Sequence, residues 1–263
     1  MTAPPGPRRR GVTVALATAA LVLAGSCGGE EPPDEGPQLG APASAEALDT
    51  LLAAVDATRA VGSGAYLAEG PLGGSAGVYD RQGVSVRADG RPEIRVAGSN
   101  AYLPAELFPK VNSDTPWLWV SLADLAPLEN RSPGLADEVA ALSGAAPPGV
   151  GPPLAAVRTA TEAAEAAEGD SGSLRAILNL SDLDAVAPRD QDAVVAWTAL
   201  WSRSGGARRV LAVISLDDRG RIEQVVLDPD GDTPAGPWKL SLSQLGRPQT
   251  VPTPRGDQIT RLP

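Results

Sequence analysis

Asp182, Asp184, Asp190 and Asp192 crowd the stretch LSDLDAVAPRDQD (180–192), and Asp228, Asp230 and Asp232 alternate through LDPDGDTPAG (227–236). Carboxylates at these spacings could do two kinds of chemistry. Two of them facing across a cleft could carry out glycoside hydrolysis. Three alternating along a loop could open a calcium site. Neither pattern is completed. In the second group Gly231 comes too early for a calcium loop, and no glutamate follows to close the ligand shell, so an acidic hairpin turn is expected. In the first group Asp182 or Asp190 precedes a helix, where a carboxylate is favoured by free backbone N–H groups. The chain has no histidine, which removes Ser-His-Asp triads, HExxH zinc sites and most general bases working near neutral pH. No Gly-rich phosphate loop of the GxGxxG or GxxxxGK[ST] type occurs. The expectation is a protein that is not an enzyme, with no metal and no bound cofactor.

The single cysteine, Cys27, cannot form a disulfide within the chain or a thiolate zinc site. Its flanks assign it another role. Residues 1–10 end in Arg8-Arg9-Arg10 without an acid, residues 11–25 carry no charge, and Gly25 and Ser26 stand just before the thiol. Basic, apolar, small is the order of a secretory signal, and fifteen uncharged residues fall short of the roughly 20 that a spanning helix needs. Leu23-Ala24-Gly25-Ser26-Cys27 resembles the lipobox of bacterial lipoproteins, with its leucine one position earlier than in the commonest form. That resemblance implies cleavage after residue 26, a covalent diacylglycerol (with palmitate-type acyl chains) on Cys27, and a place on the extracytoplasmic face of the cell membrane. Losing residues 1–26 leaves 19 basic and 32 acidic residues, a formal charge of −13. Such a chain is a poor partner for nucleic acid and for anionic headgroups, so the acyl anchor has to hold the membrane by itself. Of the basic residues only Lys110 and Lys239 are lysine. This arginine bias, with abundant Ala, Gly and Pro, is what GC-rich codons produce and suggests an actinobacterial source.

Residues 27–44, with GGEEPPDEGPQLGAPAS after the cysteine, offer almost nothing to bury and read as a disordered stalk. Residues 45–263 then form one domain. A helix is expected over 45–61, where Leu48, Leu51, Leu52 and Val55 share a face, Ser44 caps the start and Gly62 ends it. The period then falls to two. Val84 and Val86, then Ile94 and Val96, alternate with polar residues around an Asp89-Gly90 turn, and AYLP (101–104) and PWLWVSL (116–122) add short strands. Consecutive short strands joined by turns make an antiparallel meander. Helical spacing returns over 132–144, PPGVGPP (147–153) reads as a break, and 153–169 starts as a helix whose last third could turn to strand. Strands are expected at 173–183, 208–216, 222–228 and 237–246, with a helix over 189–204 between the first two. The strand at 208–216 is apolar on both parities and should be covered on both sides.

The fold class is therefore α+β. The core has to come mainly from Ala, Val and Leu, because only 3% of residues are aromatic. Four tryptophans are candidate ligand contacts. Trp197 and Trp201 lie one helical turn apart and could line a pocket or fill the core. Trp117 and Trp119 lie two apart and in a strand share a face, which is either a cavity or a packed helix.

Four stretches, in order, carry a family resemblance: Asp56-Ala57-Thr58-Arg59-Ala60-Val61 ending the first helix, Pro116-Trp117-Leu118-Trp119-Val120, Asp217-Asp218-Arg219-Gly220-Arg221-Ile222, and Leu245-Gly246-Arg247-Pro248 before a Pro-containing tail. Over residues 45–260 the chain resembles the LolA-like lipoprotein carriers, within them the actinobacterial LppX, LprA, LprF and LprG group. The resemblance implies a strongly curved antiparallel sheet, a half-barrel, wrapped over helices with an apolar cavity between. It further implies binding of acyl chains or lipoglycans and their transport across the envelope. The family has no catalytic motif to carry over. Few bulky apolar residues fall on the presumed concave face, which leaves open a surface adaptor or sensor of the same fold with a filled cavity and an envelope protein as its partner.

Overall fold

Helix α1 spans Ala45–Val61 because both ends are fixed locally. The Ser44 hydroxyl accepts a hydrogen bond from Ala47 N at 3.0 Å, and Gly62 ends the helix in the left-handed region at φ 71°. The coordinates, a computed structural model, describe residues 37–71, 73–166 and 172–263. Cys27 and the signal sequence expected over 1–26 lie outside them.

Eleven strands follow one another around a single antiparallel ladder. The meander is β1 (Gly64–Glu69), β2 (Ser75–Tyr79), β3 (Gly83–Ala88), β4 (Ile94–Ala97), β5 (Asn100–Pro104) and β6 (Trp117–Ser121). Then come short helices α2 (Ala126–Glu129) and α3 (Pro133–Ser143), and α4 (Gly151–Ala156). The chain returns through β7 (Ala160–Glu165), β8 (Ser173–Asn179), helix α5 (Pro188–Arg203), β9 (Arg209–Leu216), β10 (Ile222–Leu227) and β11 (Trp238–Ser243). A last strand, β12 (Ile259–Arg261), adds to β6 in parallel. The order is β12-β6-β5-β4-β3-β2-β1-β11-β10-β9-β8-β7, with no pairing that closes it. The expected α+β class and antiparallel sheet are present. Side chains from distant strands, Leu118 of β6 and Leu174 of β8, enter the same core as Leu51, Val139 and Val194 of α1, α3 and α5. An open sheet of twelve strands reaches one core only by curling around the helices.

Local chemistry sets the joints. A bulge between Ile222 and Gln224 takes Ile222 N–H out of the ladder with β9. The buried Thr58 hydroxyl of α1 accepts that N–H at 2.7 Å and donates to Ala54 O at 2.7 Å, fastening the helix to β10. In the turn after β9, Arg221 donates to Asp217 at 2.8 and 2.5 Å. Burial by itself would raise the Asp217 pKa, but these bonds and the backbone N–H groups of Arg221 and Arg219 hold it below the usual carboxylate range. With the folded value depressed, the stabilisation is present above the unfolded pKa and is lost as pH falls through the folded one. Asp217→Asn should therefore lower the urea midpoint at pH 7 and narrow its difference from wild type in strong acid.

Four expectations change. The stalk read over 27–44 ends earlier: Leu39, 6% exposed, packs with Ile177, Leu211 and Ala164 on the sheet face opposite the main core. This supplies the second cover expected for β9. The break at 147–153 contains the start of α4, because Pro152 and Pro153 occupy a first turn that needs no N–H donors. The turn to strand allowed for the last third of 153–169 comes earlier, at Ala160, because pairing of β7 with β8 overrides the helical preference of ATEAAE. The Pro-containing tail has no helix or strand over 247–255 but then forms β12.

Candidate functional site

Between the sheet and helices α3 and α5 lies a cavity of about 680 Å³. Its walls follow from periodicity. Alternate strand residues point one way, so Tyr66 and Ala68 of β1, Val86 and Ala88 of β3, and Trp238 and Leu240 of β11 face it. On α3 the helical spacing brings Leu135, Glu138, Ala141 and Leu142 to the same side, and on α5 Trp197, Leu200 and Arg203. The deep wall is apolar. Trp197 meets Trp238 edge to face, with centroids 5.3 Å apart at 68°. The rim is polar, with Asp89, Arg91, Ser132 and Arg203. One ion pair crosses it, Arg91 of the β3–β4 turn reaching Glu138 at 3.0 Å, and Arg203 of α5 pairs with Asp137 of α3 at 2.7 Å. Burial raises the Glu138 pKa, and Arg91 opposes that shift.

The candidate tryptophans divide. Trp197 lines the cavity. Trp201, one turn on, is fully buried and fills the core, its indole N–H donating to Ala207 O at 2.9 Å. Trp117 and Trp119 do share a face, but it is neither of the two expected. Leu118 and Val120 point into the core, so the tryptophans lie on the sheet's other side. There Arg95 sits 4.4 Å from the Trp117 ring centre and Arg261 5.6 Å from that of Trp119. Neither these two nor Trp201 lines the cavity. Trp238, Tyr66 and the Arg91–Glu138 pair also line the cavity, and no sequence motif marks them. The alternation Trp238, Leu240, Leu242 already marked one face of β11, but nothing in the sequence said what that face meets.

The aspartates are structural. Asp182 and Asp184 are exposed, and Asp182 accepts from Asp184 N at 3.1 Å. Asp190 is 1% exposed in the first turn of α5 and pairs with Arg59 at 2.7 Å. Asp192 is exposed on α5. Asp228, at φ 52°, closes the hairpin by accepting from Asp232 N, Thr233 N and the Thr233 hydroxyl at 2.7–2.9 Å, as the acidic-turn reading required. A second, polar hollow of about 570 Å³ lies beside Asp56, Arg59, Arg158 and Arg189. Its charges are largely matched, Arg59 with Asp190 and Arg158 with Asp56. Among the described residues no cluster of acidic, histidine or cysteine side chains could hold a metal ion, and no helix is long and apolar enough to cross a membrane.

Solved structures similar to this chain include two mycobacterial proteins. LprF from Mycobacterium bovis matches with a TM-score of 0.45 at 16% identity, over 82% of this chain and 100% of its own. The lipoprotein LppX of Mycobacterium tuberculosis matches with a TM-score of 0.42, also at 16% identity, over 80% of this chain and 100% of its own. Both belong to the group that the sequence resembles. No protein-family model and no curated protein matches the chain.

Proposed function

We propose that the protein binds a largely apolar, acyl-bearing ligand non-covalently in the cavity between the sheet and α3 and α5. It does so while held at the extracytoplasmic face of the cell membrane by a diacylglycerol on Cys27. The observation that carries the reading is the cavity itself. Its volume of about 680 Å³ falls inside the 300–1,000 Å³ range of ligand pockets, and its deep wall of Trp197, Trp238, Leu135 and Leu240 rewards buried hydrocarbon at about 25 cal/mol per Å². A filled cavity, the mark of the adaptor alternative, would have left no such volume between the sheet and helices α3 and α5. The family resemblance points the same way, to acyl chains or lipoglycans moved across the envelope.

Native mass spectrometry on chain starting at Gly28, expressed in an actinobacterial host and purified without detergent, tests the proposal. A stoichiometric adduct that extracts into organic solvent as lipid is expected. A clean apo mass with no uptake of added lipid would sink the proposal and favour the adaptor. Ala141, 7% exposed on α3 at the cavity wall, gives a second check. Ala141→Trp crowds that wall and should abolish the adduct, with a lowered melting temperature but a circular dichroism spectrum near wild type. Cys27→Ser should move the protein from the membrane pellet to the soluble or secreted fraction, followed by immunoblot, with ligand binding unchanged.

A further inference from the structure

Tyr66 lines the cavity, and beneath that wall its hydroxyl is a buried polar group that the fold leaves unpaired. Tyr66, in the middle of β1, is 5% exposed, and its hydroxyl is enclosed without a hydrogen-bond partner. A buried donor without an acceptor carries the full cost of its desolvation. The ring is held in place. Directly across the β1–β2 ladder stands Gly77, where a Cβ would come within 2.7 Å of the ring edge. On the helical side stands Gly149, at φ 84°, where a Cβ would lie 3.3 Å from the same ring carbon. Two glycines thus clear the space that the phenol fills. Burial pushes the Tyr66 pKa far up and the nearby Glu138 charge pushes it further, so the group is a neutral O–H. Tyr79 is also unpaired, but its hydroxyl sits by the backbone of Gly64 and Ser243, and the residue is not part of the cavity wall.

We infer that Tyr66 is the polar contact behind the apolar wall of the cavity, its hydroxyl donating to an acceptor oxygen of ester carbonyl type on an otherwise apolar molecule. The inference rests on the proposed ligand site. A carbonyl accepts without bringing a donor of its own, so one phenol O–H satisfies it. A free carboxylate would meet the Glu138 charge across a low-dielectric space. The hydrocarbon runs along Trp197, Trp238 and Leu240. Because the hydroxyl is enclosed, entry of the ligand has to part the side chains that cover it.

The test uses quenching of the cavity tryptophans by two probes of equal chain length, dibrominated methyl stearate and dibrominated octadecane. Wild type should bind the ester about tenfold more tightly than the hydrocarbon. Tyr66→Phe should leave the hydrocarbon affinity in place and bring the ester down to it. Its melting temperature should equal or exceed that of wild type, because the substitution deletes an unpaired group. Equal affinities of wild type for the two probes overturn the role of Tyr66 and leave the cavity as a ligand site, a result that needs no variant. So does a folded Tyr66→Phe that retains the ester preference or loses both probes alike. Quenching by neither probe in wild type overturns the ligand site and the inference with it.

Discussion

Arg59→Leu is expected to destabilise the domain by about 3–5 kcal/mol, the cost of stranding one member of a buried ion pair. Arg59 leaves α1 near its end, and its guanidinium spans to Asp190 of α5 at 2.7 Å and to Ala146 O, ahead of α4, at 2.8 Å. The side chains of the pair are 12% and 2% exposed, so little solvent screens them. With Arg59 gone, the nearest cation is Arg189 at 3.9 Å, which is itself 80% exposed and gives up little by staying in water. The double variant Arg59→Leu, Asp190→Leu should recover much of the loss, because it removes the stranded charge as well. Urea unfolding of the four proteins in this cycle measures both effects. A loss below about 1 kcal/mol for Arg59→Leu, the range of exposed pairs, would show that water reaches Asp190.

Trp201→Ala is expected to cost about as much, roughly 3–5 kcal/mol, for a different reason. The indole is fully buried, and its removal opens a hole beneath α5 and strips Ala207 O of its donor. The fit around it is tight: a Cβ on Gly206 would lie 2.0 Å from the ring. Trp117→Ala provides the contrast. That ring is half-buried on the other face of the sheet under Arg95, and its loss should cost no more than about 1 kcal/mol. Denaturant midpoints of the two variants, measured side by side, decide whether the tryptophans divide into core and surface as described. Comparable losses would contradict that division.

The sequence carried α1 to the residue, because Ser44 and Gly62 are local signals. It also carried the meander, because Asp-Gly turns and two-residue alternation are local too. What failed was always decided at a distance. In PWLWVSL both parities are apolar, so alternation says that Trp117 and Trp119 share a face but not which face. Trp197 and Trp201 differ by one turn of α5 and both join the core, but only Trp197, set against Trp238 of β11, also borders the cavity. Leu39 sits among glycine, proline and acids, where no periodicity could announce its burial on the outer face of β8 and β9. The three residues of β12 have no pattern at all and are strand only because β6 is there to receive them. Tyr66 reads as an ordinary strand aromatic until the cavity beside it is seen.

An open sheet has two margins, and each is a template on which another chain could add a strand and begin a polymer. At one margin the segment entering α1 lies against β7, Ser44 N donating to Ala163 O at 2.8 Å, and Glu162 and Glu165 hold exposed charge along the strand. At the other, β12 offers only three residues before Leu262-Pro263, and proline has no N–H with which to extend a ladder. Among the described residues both templates are blunted, one by the segment entering α1 and the other by a short strand followed by proline. However densely the molecules are packed side by side, sheet-to-sheet growth finds little bare strand from which to start.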